Sequence, residues 1–308
     1  MPMNMEALIL GCGGMMPLPY RHLTSVLLRR EGNLFLFDCG EGTQVALKKL
    51  NMHWKKIDYI FISHMHADHV TGLPGLLMLS SQVDRDKPLY IYGPEILNEY
   101  INSNRKLLDM FINYEIIFKP VKLGVNLETE EFIINSVPLL HTKPCYGFIL
   151  REKDRVGEFK VDRAEELGIP KGPLWGKLQK GETINYNGKT FKPEQVLGEK
   201  RKGNSFAYIT DTMYLSSISN YVKDVDILIC EGMFTKDLSE DAYEKKHMTS
   251  SQAAKIALDA GAKKLYLTHY SPRYSSYELK KLLNEAREIF TETYLAEDGM
   301  YIRIENND

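Results

Sequence analysis

The residues that most constrain this chain sit where an apolar run stops. Ile60-Phe61-Ile62-Ser63 passes directly into His64-Met65-His66-Ala67-Asp68-His69, four potential metal ligands within six residues. Placing that much imidazole and carboxylate behind a strand-like segment is costly unless something binds there, and the donors suit a borderline divalent ion such as Zn²⁺. Three other apolar runs end the same way: Val137–Leu140 on His141, Ala207–Thr210 on Asp211, and Leu265–Thr268 on His269. Each alone reads as an ordinary hydrogen-bonded residue. Together they supply five histidines and two aspartates, enough for two ions sharing a bridge. Layered α/β proteins gather their sites at strand ends, so such residues can converge without being neighbours in sequence.

Short apolar runs alternate with helical patterns along the chain, the signature of α/β layers. Strands are expected at Ala7–Leu10, Ser25–Arg30, Leu34–Asp38, Tyr59–Ser63, Leu89–Tyr92, Phe132–Leu140, Phe148–Leu150, Phe206–Thr210, Ile227–Cys230, Leu265–Thr268 and Met300–Ile304. Helices are expected at Thr43–Leu50, Gly72–Ser80, Pro94–Arg105, Ser250–Ala260 and Ser276–Phe290. Met52–Trp54, with His53, reads as a helix end packed on the body. We take residues 1–308 as one domain.

The stretch from about 152 to 197 breaks this rhythm. It is rich in glycine and proline, has few apolar runs, and is read as an arm without a core of its own, either an ordered excursion or a flexible insertion. From Arg151 to Lys202 there are 13 Lys and Arg against 9 Asp and Glu, so the segment carries +4 while the whole chain carries −2, leaving −6 for the body. A locally basic arm suits an anionic ligand, although a solvated surface loop has the same composition. The overall balance of 39 basic and 41 acidic residues excludes a wholesale basic footprint, and with it indiscriminate binding to nucleic acid; no DNA partner is expected. Four cysteines lie far apart with no CxxC pair, against a disulfide framework or zinc ribbon. No stretch reaches the ~18 apolar residues of a membrane span, and the first residues lack a signal peptide's basic start. A cytoplasmic location without membrane contact is the expectation.

The order His64-x-His66-x-Asp68-His69, then a lone His, a lone Asp and a final His, resembles the metallo-β-lactamase superfamily. Within it the chain resembles ribonuclease Z, the endonuclease family that matures transfer RNA 3′ ends. The supporting residues are Asp38-Cys39-Gly40-Glu41-Gly42-Thr43-Gln44, the Ser63–His69 metal motif, Gly168–Leu178 as the Gly-Pro segment of an RNA-gripping arm, and His247-Met248-Thr249 with Gln252-Ala253-Ala254.

The resemblance implies a four-layer αββα sandwich carrying two Zn²⁺, for which Mn²⁺ could substitute. His64, His66 and His141 would hold one ion, Asp68, His69 and His269 the other, with Asp211 bridging. Asp68 would also take a proton from the bridging water. His247 paired with Glu231 would protonate the leaving group. Lys171, Gly172, Pro173, Lys177 and Lys180 on the arm, and Arg21 in the N-terminal loop, would bind substrate, with Trp175 either stacking or anchoring the arm. Two divalent ions against two aspartates and a hydroxide leave the site about +1, suited to a phosphodiester whose transition state gains negative charge. The implied activity is removal of the 3′ trailer from precursor tRNA, by a homodimer in which one arm serves the other subunit's site. A small phosphodiester or thioester hydrolase on the same metals is the alternative, disfavoured by the arm. An RNA-binding protein with a dead site is disfavoured because every expected ligand is present.

The chain departs from the pattern in places. Cys230-Glu231-Gly232-Met233 stands where the family has His-Glu-Ala-Thr, and a thiol there packs as a small apolar residue. Pro17-Leu18-Pro19-Tyr20-Arg21-His22 stands where Pro-x-Lys-x-Arg-Asn is usual, with Pro19 for Lys and His22 for Asn. Gly11-Cys12-Gly13-Gly14 lacks the Gly-Lys-Ser/Thr ending of a phosphate loop. Cys39 and Cys145 are read as buried neutral thiols.

Overall fold

The computed structural model describes residues 5–52, 54–82 and 85–304; His53 lies outside them. The first half runs β1 (Met5–Gly11), β2 (Ser25–Arg30), β3 (Asn33–Phe37), α1 (Thr43–Lys49), β4 (Ile57–Phe61), α2 (Ala67–Val70), α3 (Leu73–Ser81), β5 (Leu89–Gly93), α4 (Ile96–Leu107) and β6 (Ile116–Pro120). Then come β7 (Gly124–Glu128), β8 (Phe132–Pro138) and β9 (Tyr146–Glu152), followed in the arm by α5 (Val161–Glu166), α6 (Pro173–Gln179), β10 (Ile184–Tyr186) and β11 (Lys189–Phe191). The body resumes with β12 (Ser205–Ile209), α7 (Ile218–Tyr221), β13 (Ile227–Glu231), α8 (Ser239–Glu244), α9 (Ser250–Ala260), β14 (Lys264–Thr268), α10 (Leu279–Arg287), β15 (Thr293–Leu295) and β16 (Tyr301–Ile304).

The strands form two seven-stranded sheets, ordered β16-β1-β2-β3-β4-β5-β6 and β15-β14-β13-β12-β9-β8-β7, plus the β10-β11 hairpin. In each sheet a run of parallel strands, β3 to β6 and β12 to β15, adjoins antiparallel ones. The two-residue period of a strand explains the layering. In β1, Ala7 and Ile9 face the core between the sheets, where Phe37 packs on Phe61, Phe148, Phe206 and Tyr208. Leu8 and Leu10 face the other way, into a cluster with Ala46, Leu47, Leu76, Leu77 and Leu97 of α1, α3 and α4. On the far sheet α9 buries Ala253, Ala254, Ile256 and Ala257. The result is the expected αββα arrangement. Helix α9 spans the expected residues because both ends are marked: Thr249 and Gln252 form a capping box, and Gly261 closes it at φ 65°.

The arm corrects one expectation. Ala164, Ile169, Trp175, Leu178, Ile184, Phe191 and Val196 are buried together, with Phe159, Leu167, Leu174 and Tyr186 packed against them. The segment therefore has a small core of its own. Trp175 is inside it, tilted against the Phe159 ring with centroids 5.2 Å apart and donating its indole N–H to the Ile169 carbonyl at 2.9 Å, so it anchors the arm and offers no free face to a base. A stalk of two antiparallel segments joins this unit to the body, bridged by Arg155–Arg201 backbone bonds of 2.9 and 3.0 Å. Gly157 lets the segments approach, since a Cβ there would lie 2.1 Å from the Gly198 carbonyl oxygen.

Candidate metal centre

Six strands deliver the polar residues to one edge. Asp38 follows β3, His64 follows β4, His141 follows β8, Asp211 follows β12, Glu231 ends β13 and His269 follows β14. The turn after β4 places His66 at the N-cap of α2, with Asp68 and His69 inside its single turn. His69 is thereby brought back against His64, their ring centres 4.2 Å apart.

The donors fall into two main sets and one that overlaps them. His64, His66, His141 and Asp211 form the first, Asp68, His69 and His269 the second, and Asp211, His247 and His269 the third, with one ligand atom from each member lying within 4.8 Å of the others in its set. Asp211 divides its carboxylate between the first two. Its Oδ1 lies 3.3 Å from His69 Nε2 and 3.2 Å from His269 Nε2, while Oδ2 lies 3.7 Å from His64 Nε2 and 3.6 Å from His141 Nε2. All seven expected ligands are brought together in the expected grouping. The site fits cations on its own evidence: the Nε2 atoms of His64 and His69 are buried without a hydrogen-bond partner, a state that buried polar atoms rarely tolerate.

Electrostatics agree. Burial pushes the His64 imidazole down to about 2, keeping it in the neutral, ligating form. Burial likewise lowers His141. At His69 burial also opposes charge, but the Asp211 and Asp38 carboxylates override it and raise the pKa well above the ordinary value, marking a place that favours positive charge. Asp68 is buried too, yet the His269 hydrogen bond and His69 hold it below the usual carboxylate range, so it stays ionised.

The ligands are held from behind. Asp38, fully buried, accepts Ser63 N–H at 2.7 Å on Oδ1, and on Oδ2 receives Ser63 Oγ at 2.8 Å, His69 Nδ1 at 2.7 Å and Tyr208 O–H at 2.7 Å. Such partners fix the ring and the tautomer of a ligating histidine. The sequence reading gave Asp38 and Tyr208 no role. Asp38 carried the same mark as the ligands, a carboxylate ending an apolar run; Tyr208 carried none. The Gly13–Arg21 loop forms the other wall. Met15 N–H donates to Asp68 Oδ2 at 2.7 Å, and Gly14 lies flat on His269, where a Cβ would come within 2.6 Å of the ring.

Glu231 is fully buried and accepts Thr212 N–H at 2.6 Å, His247 Nδ1 at 3.1 Å and Met248 N–H at 3.3 Å. The His247 ring sits 4.6 Å from that of His141 and 5.5 Å from that of His269. Burial alone would lower its pKa; the Glu231 carboxylate more than offsets this and lifts it to about 9. An imidazolium cannot ligate a metal but can give up a proton.

Arg21 and the arm residues are not part of this group. Arg21 is buried, 4% exposed, with its guanidinium over the Tyr20 and Tyr270 rings and 3.4 Å from the Tyr274 carbonyl, so it braces the loop wall and is not open to substrate as expected. His22, where the family has Asn, pairs with Asp298 at 3.0 Å. Lys171, Gly172, Pro173, Lys177 and Lys180 are exposed on the arm, around α6. Cys39 and Cys145 are buried free thiols whose pKa burial pushes up, to about 12 for Cys39. Among the described residues no helix is long and apolar enough to cross a membrane.

Comparison with known proteins agrees with this geometry. A profile of the β-lactamase superfamily domain matches residues 188–270, and one for the anti-Pycsar protein Apyc1 matches 5–157. Ribonuclease Z of Treponema denticola is 62% identical over 99% of this chain and 100% of its own length. That of Borrelia hermsii is 42% identical over 98% and 97%. The crystal structure of human tRNase Z, short form, superposes with a TM-score of 0.72 at 26% identity, covering 97% of this chain and 99% of that one. With its full length matched at this identity and its donors so arranged, the chain belongs to the ribonuclease Z family of metallo-β-lactamase-fold proteins.

Proposed function

We propose that this protein is an endoribonuclease that removes the 3′ trailer of precursor tRNA by hydrolysing one phosphodiester, leaving a tRNA with a 3′-hydroxyl. The observation that carries this reading is the pairing of a divided Asp211 carboxylate with a histidine, His247, held beside it by the Glu231 carboxylate. Two zinc ions, or manganese in their place, would be held by His64, His66 and His141 and by Asp68, His69 and His269, with Asp211 between. Bound there, they would neutralise phosphate charge and lower the pKa of water towards ~7.

The protein's own groups do the rest. Asp68, ionised and oriented by Met15 N–H and His269, accepts the proton of the attacking water. His247, kept charged by Glu231, donates its proton to the departing 3′ oxygen of the tRNA. The arm supplies selectivity: its exposed Lys171, Lys177 and Lys180 grip the RNA backbone away from the cut, as suits a folded RNA read by shape and phosphates. In the working form two copies pair, each arm serving the other's site, in the cytoplasm.

The test is incubation of zinc-loaded protein with precursor tRNA bearing a 3′ trailer, product ends being mapped beside hydrolysis of bis(4-nitrophenyl) phosphate. Trailer removal that disappears in Asp68→Ala supports the reading. Ester hydrolysis without RNA cleavage would replace it with a small-molecule phosphodiesterase. Mixing an arm-deleted chain with an Asp68→Ala chain should restore activity if arms act across the dimer.

A further inference from the structure

A buried ion pair lies where the arm leaves the body. Arg30, the last residue of β2, has no exposed side-chain surface and belongs to the first sheet. Its Nε donates to Glu152 Oε1 at 2.7 Å, and Glu152, equally buried, is the last residue of β9 in the second sheet. Arg30 Nη1 reaches Glu131 Oε2 at 2.8 Å in the β7–β8 turn, and the guanidinium lies over the Phe132 ring. That turn in turn accepts the first arm residue, Lys153 N–H to Glu131 O at 2.8 Å.

Glu152 is also the point at which the arm's two ends meet. Its backbone N–H donates to Asn204 O at 2.9 Å, and its Oε2 accepts Asn204 N–H at 3.0 Å. The return strand is pressed close, since a Cβ on Gly203 would lie 2.4 Å from the Glu152 carbonyl oxygen. One carboxylate thus holds the outgoing strand, the returning strand and the opposite sheet.

Burying a charge pair adds little net stability compared with apolar packing of the same volume. What a guanidinium fork adds is direction, because its N–H groups are fixed in a plane and satisfied from few angles. Apolar contacts at the same place would let a stalk of two singly bridged segments rock about its root. We infer that Arg30 and Glu152 are positioning residues that fix the angle at which the arm leaves the body. On the reading that the arm grips RNA, they also set how substrate is presented to the metal edge, without touching it.

Spin labels on Ser103→Cys in α4 and Thr183→Cys in the arm, both exposed positions, report the arm angle directly; the four native cysteines are buried. In Arg30→Lys, and in Arg30→Met/Glu152→Met where no buried charge is stranded, the distance distribution should broaden at unchanged secondary structure. KM for precursor tRNA should rise on the order of tenfold while kcat on bis(4-nitrophenyl) phosphate and zinc content hold. Distributions as narrow as in the parent protein in both variants would overturn the inference. Broadening with unchanged KM for RNA would uphold the pair's role and refute the arm as the RNA grip.

Discussion

At the metal edge the donors are spread along the chain from His64 to His269, whereas the buried apolar cluster of the arm lies wholly between Ala164 and Val196. The edge depends on the whole sandwich: His69 is held by Asp38 of the first sheet, which is held by Tyr208 of the second. The arm depends on itself and on its root at Glu152 and Asn204. A site built from long-range contacts can be rigid enough to hold charge without solvent, and a locally built unit can change without disturbing it. Chemistry and recognition should therefore be separable by mutation.

The sharpest separation comes at Asp211. Asp211→Ala removes the only carboxylate facing both donor sets among the described residues, so zinc content by mass spectrometry should drop and hydrolysis of both RNA and ester should fall to background. Substantial turnover of either would break the claim that this edge is the active site. Next is His247→Ala, expected to lower kcat on RNA about 10²–10⁴-fold, the usual worth of a general acid, with zinc retained. The nitrophenolate ester should suffer less, because its leaving group scarcely needs a proton.

The same residue sets a pH dependence. On the proposed role its charged form is the active one, so the rate should hold up to about pH 9 and decline above it. Glu231→Gln removes the nearest carboxylate that raises the pKa and leaves only Asp211 and Asp68 to oppose burial, moving the alkaline limb to lower pH. A limb that stays in place in this variant would detach His247 from proton transfer.

Trp175→Ala probes the other side of the comparison. Emptying an aromatic site in a core costs roughly 3–5 kcal/mol, more than a unit this small can spare. The arm should lose its protection against proteolysis and RNA cleavage should collapse, while ester hydrolysis and the melting of the body stay as they were. Equal loss of both activities would show that the arm supports the sandwich.

How much of this was legible follows from where each pattern lives. The clustered donors were readable because four of them, His64, His141, Asp211 and His269, close an apolar run, and His66, Asp68 and His69 crowd behind the first. Helix α9 was readable because Thr249, Gln252 and Gly261 mark its ends. The arm's core was not: Ala164, Ile169, Trp175, Leu178, Ile184, Phe191 and Val196 follow neither a two- nor a 3.6-residue period, since short helices and a hairpin fold onto one another. Strands β6 and β7 escaped for a related reason, as half-exposed edge strands without clean alternation. Arg21 was readable by motif as a substrate contact, yet burial between Tyr20 and Tyr270 is decided by residues far along the chain.

Tyr208 gives the smallest effect and the finest test of the comparison. In sequence it is one more aromatic residue in an apolar strand, yet its hydroxyl spans 170 positions to donate to Asp38, the carboxylate that orients His69. Tyr208→Phe keeps the ring packed on Phe37 and removes a single oxygen, leaving Asp38 with Ser63 and His69 as donors. Partners behind a ligand are worth about 10–100-fold in metal affinity, and with two of three side-chain donors retained the lower end applies, roughly tenfold. Chelator competition should show that loss for one ion of the pair, the one held by His69, while KM for precursor tRNA at saturating zinc stays unchanged. If both ions weaken equally, the two donor sets act as one unit. If RNA affinity falls with the metal restored, the edge and the arm are coupled through the sandwich, and the separation drawn between them fails at its most sensitive point.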